Sequence, residues 1–96
     1  PQLTMTTFYP LGLFRQRERA TELNLPEPHA VQERWRREWT GKGVDQDVIN
    51  YAVKLAEGRA KATARQGTSQ AQEIIYRSVL ESEYLVADRW VSAMLE

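Results

Sequence analysis

The chain of 96 residues has no cysteine and a single histidine, His29. The first absence excludes disulfide scaffolds and thiolate-held metals. The second leaves little for nucleophilic or acid–base catalysis, since a Ser–His–acid triad would have to use His29, which falls where a helix should begin and be exposed. His29 and Glu33 stand four residues apart, yet two ligands are too few for a dedicated metal site. Glycine is sparse, with five in all, and Gly41-Lys42-Gly43 has neither the spacing nor the preceding strand of a phosphate loop. No acidic loop has the pattern of a calcium site. No apolar run approaches the roughly 20 residues of a membrane span, and no basic-then-apolar leader opens the chain. The formal net charge is +0, which argues against indiscriminate binding to polyanions. These absences point to a chain that is not an enzyme, holds no cofactor or metal, does not enter a membrane and resides in the cytoplasm.

What is present is ordinary globular material, 42% hydrophobic and 27% charged, in an amount that makes one domain with one modest core. The charge is unevenly spread. Residues 1–67 hold eleven Lys/Arg and eight Asp/Glu, whereas residues 68–96 hold two Arg and five Asp/Glu. The basic front and the acidic last segment can attract one another, within one chain or between chains. Met5-Thr6-Thr7 reads as a natural start, so residues 1–4 are expected to be an added stretch or the interior of something longer. No stop signal follows at Glu96, which fits a domain cut from a longer chain.

The pattern predicts an all-α, four-helix bundle-like domain over residues 13–96, preceded by an extended arm over residues 1–12. In the arm, Thr6, Thr7, Phe8 and Tyr9 favour extended backbone before Pro10 and Gly12 break it. The first helix is expected over 13–23 and ends before Leu25-Pro26-Glu27-Pro28. The second, over 29–40, carries Val31, Trp35 and Trp39 on one ridge and stops at Gly41 or Gly43. The third, over 45–65, opens on Asp45 as N-cap and runs through Val48, Ile49, Ala52, Leu55, Ala56 and Ala60 to Gly67.

The fourth helix, over 69–95, dominates the chain. Ser69 and Gln72 have the spacing of a capping box, and Glu73–Arg77 suits an exposed ion pair. Ile75, Val79, Val86, Trp90 and Met94 share one face. Leu80, Tyr84, Ala87, Val91 and Leu95 form a second stripe beside it. Two stripes are wider than the apolar face of an ordinary surface helix, and a helix about 40 Å long would overhang a compact domain. The expected core is Phe14, Val31, Trp35, Trp39, Val48, Ile49, Ala52, Leu55, Ile75, Val79, Val86 and Trp90. That leaves the second stripe, with Phe8 and Tyr9 of the arm, to face a protein partner.

Three functional readings follow. The first is a non-enzymatic protein–protein assembly module that self-associates through Leu80, Tyr84, Ala87, Val91 and Leu95, since aromatic residues are enriched at interface centres. The second is a nucleic-acid-binding accessory domain resembling a helix-turn-helix, with Arg34, Arg36, Arg37 and Lys42 on the second helix and its turn, and Arg59, Lys61 and Arg65 on the third, neutralising phosphates. Against it, a recognition helix opening Asp45-Gln46-Asp47 would present carboxylates to the groove. The third is a small enzyme or ligand-binding bundle centred on Glu83, a carboxylate inside the apolar arc that, if it is not functional, pairs with a front-half arginine or faces solvent between the stripes.

Overall fold

Residues 16–96 are described in a computed structural model; the expected arm over 1–12 and Phe14 lie outside them. The described residues are all helix and connection. Helix α1 covers residues 16–22, α2 Pro28–Gly41, α3 Gln46–Ala64 and α4 Gln72–Leu95.

Local chemistry sets the boundaries. Asn24 takes a left-handed conformation (φ 57°) after α1. This lets Leu25 N–H reach the Ala20 carbonyl (2.9 Å) and Asn24 N–H reach that of Thr21 (3.0 Å), the paired closure of a Schellman motif. Pro28 opens α2, where its missing N–H is not needed. Of the two glycines after α2, Gly43 provides the positive φ (83°). Val44 N–H then bonds to the Trp39 carbonyl at 3.0 Å, and both side chains are buried. Asp45 occupies the N-cap position of α3, without a side-chain capping hydrogen bond.

Gly67 has a different use from the helix stop expected of it. It does not adopt a positive φ; instead a Cβ there would run into the Ile75 side chain. The glycine lets the turn between α3 and α4 fold tightly onto the second of these helices.

The predicted capping box at Ser69 does not form. Residues 69–71 are a turn, α4 starts at Gln72, and Ala71 stands at its N-cap with no side-chain bond. The cap comes from α1. Gln16 Oε1 accepts from the Glu73 N–H (2.9 Å), and Gln16 Nε2 donates to the Ser69 carbonyl (3.0 Å). One amide side chain therefore satisfies one of the free donors that every helix start carries and holds the turn before it.

Helices α3 and α4 run antiparallel along most of their length. Gly67 meets Ile75, Arg59 meets Glu83, and Tyr51 meets Trp90. At 1.5 Å per residue α4 is about 36 Å long and α3 about 29 Å, so α3 covers most of the expected overhang. Ala52, Ala56, Ala60 and Ala64, one per turn of α3, are all buried, and these small side chains permit close approach. Helix α2 lies along the pair, parallel to α4 (Trp35 meets Glu81, Trp39 meets Asp88) and antiparallel to α3 (Gln32 meets Glu57, Arg36 meets Asn50), burying Val31 and Trp39.

The core differs from the sequence expectation in one systematic way. On α4 the buried apolar residues are Leu80, Tyr84, Ala87 and Val91, four of the stripe assigned to a partner. Val86 of the assigned core stripe is exposed, while Ile75, Val79 and Trp90 are only partly buried. Trp35, Val48 and Leu55 are also partly buried; Ala56 and Ala60 of the predicted apolar period are fully buried, and Val44, Val53 and Ala64 join the core unforeseen. The reason is how α3 and α4 meet. The buried alanines of α3 pack against Leu80, Tyr84, Ala87 and Val91, which leaves Val79, Val86 and Trp90 at the edge of the seam.

Candidate functional site

The best-defined polar architecture joins α2 to α4. Trp35 Nε1–H donates to Glu81 Oε2 (2.7 Å), and Trp39 Nε1–H donates to Asp88 Oδ1 (2.9 Å). Tyr84 lies between, its ring nearly parallel to Trp35 (3°, centroids 6.2 Å apart) and 6.1 Å from Trp39. Its hydroxyl donates to Glu57 Oε2 of α3 at 2.9 Å. Gln32 Nε2 donates to the same oxygen (2.8 Å), Arg36 Nε donates to Gln32 Oε1 (3.0 Å), and Arg36 Nη1 donates to Asn50 Oδ1 (2.9 Å). Burial, then the hydrogen bond to Glu57, pushes the Tyr84 hydroxyl far above its ordinary pKa. Burial, with Glu57 and Glu73 nearby, pushes Tyr76 up to about 12. The neutral Tyr84 hydroxyl is held as a donor to Glu57, and the network fixes three helices together.

This network also accounts for most of the basic residues proposed to touch nucleic acid. Arg34 pairs with Glu81 and stands 5.7 Å from the centre of the Trp35 ring. Arg36 is held by Gln32 and Asn50. Lys42 lies 3.8 Å from Glu38 and 4.0 Å from Asp88. Arg59 Nε donates to Glu83 Oε1 at 2.9 Å. Arg37 remains on the exposed side of α2, beside Glu33 and Arg36. Lys61 and Arg65 border an open cleft of about 390 Å³ that includes Glu73 and Tyr76. The seven cations are thus dispersed among carboxylates and do not form one positive face.

Glu83 meets the front-half arginine the sequence allowed for, and its side chain is 16% exposed. His29 Nε2 lies 3.0 Å from Glu33 Oε1 on the surface. Among the described residues no group of three or more His, Asp or Glu side chains is placed to hold a metal ion, and no helix is long and apolar enough to cross a membrane.

Arg77 is not the exposed partner of Glu73 that its spacing suggested. It is 5% exposed, with Nη2 3.5 Å from Glu27 and Nε 3.9 Å from Glu73. Its Nε and Nη1 have no hydrogen-bond partner among the described residues. It borders a cavity of about 500 Å³ with Arg17, Glu18, Glu27, His29 and Glu73. Three carboxylates against two guanidiniums do not favour an anion there. Arg77 is a buried cation held by flanking acids between α4 and the start of α2.

What remains on the surface is an apolar band on the side of α3 and α4 away from α2. Tyr51 (57% exposed), Val86 (44%) and Met94 (55%) lie on it, with Leu55, Val79 and Trp90 half-buried between them. The Tyr51 and Trp90 rings bridge the two helices at 5.2 Å. By helical phase Val86 and Trp90 stand roughly half a turn from Glu81 and Asp88, the residues that receive α2. Of the residues expected at an interface, Leu95 is exposed at the end of α4; Phe8 and Tyr9 lie outside the described residues. The band itself was missed because Val79, Val86 and Trp90 read as core.

The fold and this surface define a small all-α domain built on an antiparallel helical hairpin. No family model, curated protein or solved structure matches the chain.

Proposed function

We propose that this chain is a non-enzymatic assembly module that pairs with a second copy of itself through the α3/α4 band. The observation that carries the proposal is the continuity of Tyr51, Val86, Trp90 and Met94 across two helices on the face opposite α2. Aromatic residues and Met are the side chains that interface centres favour. The band runs from Val79 to Met94 on α4, about 22 Å by helix rise, and is about 20 Å wide across the two helices. The resulting area, on the order of 400 Å² per copy, is about half of the roughly 800 Å² that each partner contributes to an ordinary stable complex and suits a concentration-dependent association. A second copy is favoured over a charged partner because Arg59–Glu83, the only ion pair within the band among the described residues, is neutral as a unit. The nucleic-acid reading is weaker, because Arg34, Arg36, Lys42 and Arg59 already face acceptors of their own chain.

Light scattering at high micromolar concentration tests this. The expected mass is twice that of the chain. Tyr51→Ser combined with Trp90→Ser should return it to the monomer while the circular dichroism stays helical. A monomeric mass for the unaltered chain at millimolar concentration would overturn the reading.

A further inference from the structure

The apolar band is thick at one end and thin at the other. The rungs Gly67–Ile75, Arg59–Glu83 and Tyr51–Trp90 place Leu55 level with Val86, near the middle of the band. Toward the start of α3 and the end of α4 the outward side chains are large, with Tyr51, Trp90 and Met94. Toward the other end they are small. Gly58 and Ala62 stand seven and eleven residues after Tyr51, on the same face of α3. Both are exposed, as is Ser82 near the same height on α4. Gly58 is the sharper observation. Glycine is costly inside a helix, and among the described residues nothing lies within 4 Å of the Cβ that another residue would place there. No described contact of its own chain requires the missing side chain. Ser82 adds no free donor to the notch, since its hydroxyl donates to the Val79 carbonyl (2.7 Å).

We infer that two copies pair head to tail, with Tyr51 of each seated over Gly58 of the other, so that the thick end of one band meets the thin end of the second. The inference rests on the α3/α4 band being a self-association surface. Two hairpin faces can meet about a two-fold axis in two ways, and each contact is then made twice. If the axis runs along the hairpin, heights are conserved and α3 packs on α4. Tyr51 and Trp90 then abut Trp90 and Tyr51 of the second copy, and these four rings prop the thin ends apart. If the axis crosses the hairpin at Leu55 and Val86, heights are inverted and α3 packs antiparallel on α3. Tyr51 then meets the space outlined by Leu55, Gly58, Arg59 and Ala62 of the second copy, the four-residue hole into which a helical knob inserts. On α4, Trp90 meets the hole around Ser82 in the same way.

Both arrangements involve the same apolar side chains and set neighbouring helices antiparallel. Hydrophobic area and helix dipoles therefore do not choose between them. Volume does. The centre of an interface packs as densely as a protein interior, and a void forfeits the contacts of the atoms that line it. Only the crosswise axis sets large against small along the whole band. Charge does not oppose it, because each Arg59–Glu83 pair stands off the axis on one side and its mate on the other, so like charges do not meet. The assembly is a four-helix arrangement of two α3/α4 hairpins, with α2 of each copy on the outside.

The test uses the full chain, whose lack of cysteine makes a single-site label unambiguous. Gln70→Cys carries a spin label in the exposed turn between α3 and α4, beyond the band, and reads the axis directly. Head-to-tail pairing should hold the two labels at opposite ends of the assembly, about 35 Å apart. The lengthwise axis would bring them to the same end, under about 20 Å apart. Gly58→Leu reads the notch. It should weaken self-association at least about tenfold by filling the hole, while the dilute monomer melts no lower, because leucine favours the helix over glycine. About the lengthwise axis the same leucine would fill the gap and tighten the dimer. Tyr51→Ala should weaken association in the unaltered chain and strengthen it in the Gly58→Leu chain, as for two groups that touch across the interface. A dimer with labels under about 20 Å apart would overturn the inference and leave the assembly reading standing. So would a dimer tightened or unmoved by Gly58→Leu, whereas an unaltered chain that stays monomeric would end both.

Discussion

The two seams of α4 are built on opposite principles. Against α2, the seam is short and directional, with two indoles and a phenol interleaved and each polar hydrogen aimed at a carboxylate of another helix. Against α3, it is long and built on small side chains, with Ala52, Ala56, Ala60 and Ala64 facing Leu80, Tyr84, Ala87 and Val91 while Val79, Val86 and Trp90 sit at the margin. The first kind of seam defines a single geometry, because a buried donor without its acceptor is penalised. The second kind is set by volume and leaves big apolar side chains at its edge. A helix that carries two apolar stripes can therefore close one seam by itself and keep surface for another.

Three perturbations would break or sharpen that contrast. The largest effect is expected on the directional side. Trp39 is fully buried, and Trp39→Ala should cost about 3–5 kcal/mol, read from urea unfolding followed by circular dichroism. A cost below about 1 kcal/mol would place the stabilising contacts elsewhere. On the α3 side the damage comes from adding volume. Ala60→Leu should cost about 1–3 kcal/mol by forcing α3 and α4 apart; an unchanged thermal midpoint would mean the seam has slack. The smallest effect is expected in alkali. Tyr84 and Tyr76 both ionise above the ordinary value of 10.0 when folded, so above about pH 10 the folded state binds more protons than the unfolded one. Stability is then complete below pH 10 and falls as the pH rises through the folded values. Tyr84→Phe should flatten that decline in melts run between pH 9 and 11.5, and an equally steep decline would locate the effect in other groups.

Much of the fold was legible from short-range chemistry. Pro28, Gly43 and Asp45 mark helix ends through backbone rules that tertiary contacts did not override. The ridge of Val31 and Trp39 was legible for the same reason, having a single apolar face to place. The orientation of α4 was not. Both of its stripes are apolar, and hydrophobicity cannot rank them. The choice depended on Glu81 and Asp88, which flank the second stripe and receive the indole hydrogens of a helix more than forty residues away. Glu83, which interrupts the first stripe, was read as an anomaly; it marks the edge where α4 meets Arg59. The alanines of α3 were noted for their period, but their size carried the further message that a neighbouring helix comes close. Arg77 gave no sign of burial, because its i,i+4 acid is what an exposed helix would also show.

Gln16 has a consequence for how the molecule can be watched. The Glu73 amide hydrogen lies in the first turn of α4, where no helical carbonyl can receive it, and Gln16 Oε1 does so instead. Its exchange with solvent deuterium is governed by the detachment of α1, not by the unwinding of α4. A single cross-peak followed over time therefore clocks the docking of the first helix against the last, with the deep amides around Leu80 and Tyr84 as the slow reference in the same sample.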